Sequence, residues 1–89
     1  MAMRIKGSMK VAVTTTAQDV PIKYRDILIA NNSESTVFFC DKDVSGQVTA
    51  ETGYALLPKT QMPIPVTAST LSIIGSGTAD VRILFVDIV

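Results

Sequence analysis

The sequence has no histidine and no tryptophan, and a single cysteine, Cys40. Without histidine, the side chain best suited to moving protons near neutral pH is missing. Catalysis would then need a carboxylate, lysine or thiol activated by partners, and no spacing in the chain suggests such a pair, so we read a non-enzymatic protein with no cofactor. One cysteine forms no internal disulfide, and no Cys/His cluster is present to hold zinc. Cys40 stands in an apolar run with no adjacent activator and reads as a buried, inert thiol. A lone thiol also fits synthesis in a reducing, intracellular compartment.

Charge of one sign is lacking too. Lys plus Arg and Asp plus Glu are 8 each, so the formal charge is zero. No basic stripe accompanies the aromatic residues, which argues against nucleic acid and against an anionic membrane as partners. No apolar run reaches the roughly 18 residues of a membrane helix, and no signal-peptide core follows the N-terminal Met-Ala-Met-Arg-Ile-Lys. Asn31-Asn32-Ser33 spells a glycosylation sequon, but without a secretion signal it reads as a turn.

What is present is apolar and β-forming. Hydrophobic residues make up 47% of the chain. That is high for 89 residues, a length at which a domain buries only about 60–65% of the surface its unfolded chain exposes. Association between subunits would hide the excess, so an oligomer is expected. No segment holds an apolar i, i+3, i+4 pattern, whereas β-branched residues, prolines and turns recur throughout. The expected fold is all-β: a single small sandwich or barrel, jelly-roll-like, of about six to eight short antiparallel strands with no substantial helix.

Residues 1–8 have no clear period and read as a flexible arm, a leader or a short strand, ahead of a single β domain over 9–89. Met9 to Val13 is a first strand. Val20, Ile22 and Tyr24 share one parity, and the apolar face then passes to Ile27 and Ile29. Such a flip predicts a bulge or bend near Arg25-Asp26. Asn31 to Ser35 is a turn. Thr36 to Cys40 is a strand apolar on both faces, one for the core and one for a second layer or another subunit. Met62-Pro63-Ile64-Pro65-Val66 suits an extended edge with Ile64 and Val66 inward. Leu71 to Ile74 and Ala79 to Val89 flank Gly75-Ser76-Gly77-Thr78, which predicts a closing hairpin.

Asp41-x-Asp43-x-Ser45-Gly46 resembles the first half of a calcium loop, with oxygen ligands at alternate positions before a glycine. The bidentate glutamate that closes such a loop would stand at position 52, which is Thr52. A plain turn is therefore the preferred reading, with Asp41, Asp43 and Ser45 as a weak metal candidate.

Several of these segments, taken in order, resemble the small β-sandwich virion structural proteins of tailed bacteriophages. They are Ile27 to Asn32, Ser35 to Cys40, Asp41-x-Asp43-Val44, Thr52 to Pro58, Pro63 to Val66, Leu71 to Gly75 and Ala79 to Leu84. The resemblance spans about residues 20–89. It departs from the pattern at Cys40 and Lys59, where glycines are expected. It implies a head decoration or cement subunit, or an accessory piece of a neck, tail or fibre. Such a subunit is made in the host cytoplasm, resides in the virion, and contacts itself and other virion proteins such as a major capsid or tail protein. An alternative on the same scaffold is a carbohydrate- or receptor-binding module of a tail or fibre using Tyr24 or Tyr54, although the lack of tryptophan weighs against it.

The final strand has a core face of Val81, Ile83 and Phe85. From Leu84 onward its other face is apolar as well. Leu84, Val86, Ile88 and Val89, together with Phe38, are therefore the expected oligomer contacts.

Overall fold

The computed structural model describes residues 3–22, 26–65 and 70–88. Eight strands and one helical turn follow each other: β1 (Met3–Val13), β2 (Gln18–Pro21), β3 (Asp26–Asn31), β4 (Val37–Asp41), α1 (Lys42–Ser45), β5 (Tyr54–Leu56), β6 (Gln61–Pro65), β7 (Thr70–Gly75) and β8 (Ala79–Ile88). They form two four-stranded antiparallel sheets, in the orders β1-β8-β3-β6 and β2-β7-β4-β5. This is the jelly-roll order, a sandwich of two interleaved Greek keys.

Consecutive strands mostly alternate between sheets, and only β4 and β5 are both neighbours in sequence and paired. The expected closing hairpin is therefore corrected. β7 pairs with β2 and β4, whereas β8 pairs with β1 and β3. The glycine connection is an arch between layers. Its amides point to other elements: Gly75 N–H donates to Thr14 O at 2.8 Å and Ser76 N–H to Thr36 O at 2.9 Å. A Cβ on Gly75 would stand 2.5 Å from the Gly77 carbonyl oxygen, so the corner is closed to any larger residue.

The face change anticipated after Tyr24 has the same origin. β2 lies in one sheet and β3 in the other, so Val20 and Ile27 enter the same core from opposite layers. Tyr24 and Arg25 lie outside the described residues. The first strand begins at Met3 and keeps pairing with β8 out to Ile88, so residues 3–8 form strand, the third of the readings given for that segment. Its pairing slips between Ile5 and Gly7, which leaves Lys6 as the extra residue of a bulge. Gly7 there has φ of 154°, a backbone setting that favours glycine.

The core lies between the sheets. Alternation along each strand sends Val11 and Val13, Ile27 and Ile29, Val37 and Phe39, Leu71 and Ile73, and Val81 and Ile83 inward. Ile64 and Met62 of β6 pack against this cluster. Asn31 is the exception to the apolar rule on these inward faces. It closes β3 at 1% exposure, rather than opening the turn the sequence predicts. Its amide nitrogen donates to Ser35 O at 2.6 Å and to Leu56 O at 3.0 Å, and its carbonyl accepts from Ser33 Oγ at 2.6 Å. One side chain thus ties β3, the following loop and β5 of the opposite sheet together.

Candidate functional site

Two edge strands, β5 and β6, face each other across one open side of the sandwich and leave a cleft of about 450 Å³. Met62, Ile64 and Leu71 give it an apolar floor, and Asp41 and Thr52 stand at its rim. Tyr54 lies across from Phe39 in the β4–β5 pairing. Their ring centroids are 5.9 Å apart and tilted by 56°, a geometry favoured by aromatic quadrupoles. Phe39 is buried, while Tyr54 is 63% exposed and presents its ring at the mouth of the cleft. The chain keeps this cleft open because β5 has three residues and β6 carries Pro63 and Pro65, so neither edge reaches across to the other sheet.

Cys40 also lines the cleft. Its thiol lies 3.4 Å from Gly46 O. Burial pushes its pKa up, and the Asp41 carboxylate pushes it further the same way. Both favour the protonated thiol over the thiolate nucleophile.

Asp41, Asp43 and Ser45 form a single helical turn instead of the expected loop. The Asp41 side chain caps it by accepting from Asp43 N–H at 2.9 Å. Asp43 Oδ2 accepts from Thr70 N–H at 3.3 Å, tying the turn to β7. Both carboxylates thus have backbone partners, and Ser45 is exposed. Among the described residues no cluster of three or more His, Cys, Asp or Glu is placed to hold a metal ion.

The expected contact residues fall on opposite sides of the molecule. Phe38 points outward from β4, but the chain covers it itself: the loop of residues 46–53 folds over that sheet. Val48 of the loop is 2% exposed and donates its N–H to the buried Ser72 Oγ at 2.9 Å. Gly53 lies so close that a Cβ there would come within 2.7 Å of Phe38 Cβ and 2.5 Å of Val48 Cγ2. This loop is the second layer that a strand apolar on both faces requires.

Among the described residues, the outer face of the other sheet carries no such cover at its centre. Leu84 of β8 pairs with Leu28 of β3, which pairs with Pro63 of β6. The two leucines are half-buried and Pro63 is exposed. Ile5 of β1, at 68% exposure, extends the apolar surface next to Val86, its cross-strand partner. Val86 is 4% exposed within the single chain and stands outside the core cluster, which leaves Leu84 as the accessible member of the expected set. The side chain of Ile88 and the whole of Val89 lie outside the described residues. Asp26 borders this surface beside Val86, and the Asp80–Arg82 pair closes its other end, with Nε to Oδ1 at 2.8 Å. The guanidinium holds the Asp80 carboxyl below its ordinary pKa through that hydrogen bond.

Sequence reasoning passed over Leu28, Pro63 and Ile5. The signal for Leu28 was present. Ile27-Leu28-Ile29 is apolar on both parities, as is Ile83-Leu84-Phe85-Val86, and two such runs paired in register put leucine beside leucine on the outer face.

Comparison with protein-family models, with curated proteins and with solved structures finds no match to this chain.

Proposed function

We propose that this chain is a non-enzymatic structural subunit that works through oligomeric protein–protein contacts, as a decoration, cement or accessory subunit of a bacteriophage virion. The observation that carries the contact reading is the apolar surface Leu84–Leu28–Pro63 with Ile5, placed across the middle of one sheet face. Exposed apolar surface of this kind on a small domain marks a site of association. The virion assignment is supported by the order of turn and strand motifs from Ile27 to Leu84, and by a jelly roll being an architecture suited to capsid proteins.

The test is a Leu28→Ser/Leu84→Ser double variant followed by light scattering. Each half-buried leucine still has about 1 kcal/mol to gain at a contact, so losing both weakens assembly by at least about tenfold. Folding stability should change little, because both side chains lie outside the core cluster. An assembly unaffected by the double variant overturns the role given to this face.

A second reading has its own observation, the exposed Tyr54 ring at the mouth of the β5–β6 cleft beside Asp41 and Thr52. An exposed aromatic beside polar groups suits stacking on a sugar ring. A glycan array is expected to give a signal that Tyr54→Ala abolishes, and a blank array removes this reading.

A further inference from the structure

The two sheets end in four edge strands, and three of them are closed to further pairing. β6 carries Pro63 and Pro65, which have no N–H to offer. β5 has three residues, and β2 has four, including Pro21. Short strands and prolines are the means by which edges are kept from pairing. β1 is different: it has 11 residues and no proline.

The direction of its backbone groups follows from two hydrogen bonds. Asp80, opposite Ala12 in the register, has its carbonyl turned to β3, where it accepts from Asn32 N–H at 2.8 Å. Ala12 O turns away from β8 and accepts from Gln18 Nε2 at 2.8 Å. Ala12 is therefore the non-hydrogen-bonded member of its pair. By the period of two, Lys10 and Ser8 also point their N–H and C=O groups to the free side. Gln18 takes the Ala12 carbonyl but leaves its N–H, and the bulge at Lys6 turns the edge at the other end. Between them lies a stretch of edge in unbroken register with β8.

Charge decides what fits there. Arg4, Lys6 and Lys10 are exposed on β1, and the first acidic residue in the sequence is Asp19. The ion pairs among the described residues use Lys42, Lys59 and Arg82, none of them on β1. Two copies pairing through β1 would bring like charges together, which opposes a second copy of this edge. An extended segment rich in Asp and Glu meets opposite charge instead.

We propose that the free edge of β1 is a docking strand for an extended acidic segment of a partner protein, which adds to the sheet next to Ser8–Ala12. This site is independent of the apolar face and of the virion assignment.

The test uses the full chain, isotope-labelled, with a synthetic extended peptide in which glutamate alternates with threonine and valine. Amide exchange at Ser8, Lys10 and Ala12 should slow by at least about tenfold, while Met9 and Val11, already paired with β8, stay as they are. Raising salt to about 0.5 M should weaken binding by about tenfold or more. Lys6→Glu/Lys10→Glu should abolish it without changing the melting temperature, and Lys10→Pro should remove it by deleting an outward N–H. Equal protection by a peptide with lysine in place of glutamate overturns the proposal. So does protection that appears without peptide as protein concentration rises, which would mean a second copy, or no protection with the acidic peptide.

Discussion

Asn31→Ala is expected to destabilise the protein by about 3 kcal/mol, a large part of the roughly 4–13 kcal/mol available to a domain of this length. The side chain is 1% exposed and satisfies two backbone carbonyls, Ser35 O and Leu56 O, while accepting from Ser33. Each buried group left without a partner costs about 1–3 kcal/mol. The melting temperature should fall by about 12–24 °C, since each kcal/mol shifts a domain of this size by about 4–8 °C. Asn31→Asp should be comparably damaging, because a carboxylate accepts hydrogen bonds but has no amide hydrogens for the two carbonyls. Urea unfolding measures both, and a loss below about 1 kcal/mol in Asn31→Ala would mean that water replaces the side chain without cost.

Gly53→Ala is expected to cost about 2 kcal/mol, within the usual range for overpacking. The new Cβ would stand 2.5 Å from Val48 Cγ2, 2.7 Å from Phe38 Cβ and 3.1 Å from Thr49 O. Val48 has rotamers to try, but Phe38 Cβ is fixed by β4, and Thr49 O already accepts from Gly53 N–H at 2.9 Å. Relief requires the loop to rise off the sheet, which uncovers Phe38 and Val48. Thermal unfolding should show the loss of stability, and a hydrophobic dye should bind the variant more strongly than the parent. A variant that melts with the parent and binds no extra dye would show that the loop does not seal that face.

These two positions also mark where the sequence was readable and where it was not. Alternation along Ile27–Ile29 and Val81–Ile83 identified strands and their inward faces correctly, because period two is a local property. The prolines of Met62 to Pro65 located an edge for an equally local reason. Which sheet a strand joins is not local. Leu71–Ile74 and Ala79–Val89 around a glycine corner look the same whether they pair as a hairpin or separate into two layers. The outcome depends on β2 and β4 taking both sides of β7, strands about thirty residues or more before it in the chain. Asn31 resembled a turn residue because asparagine usually is one. Its burial depends on Leu56, 25 residues on. Phe38 was rightly read as needing cover, but the polar composition of Gln47 to Thr52 hid that the cover is that loop, anchored by Val48. The exposed apolar face proposed as the contact was half legible: Leu84 stood out on its own strand, whereas Leu28 and Pro63 lie beside it only through register.

The central claim is that the outer face of the β1-β8-β3-β6 sheet is covered by another copy of the chain. Native mass spectrometry of the purified protein across a dilution series centred on about 10 μM tests it most directly, since that range brackets affinities near 1 μM, about −8 kcal/mol. The account predicts a closed oligomer of one defined size that gives way to monomer in the Leu28→Ser/Leu84→Ser variant. A parent protein that is monomeric throughout the series would contradict it.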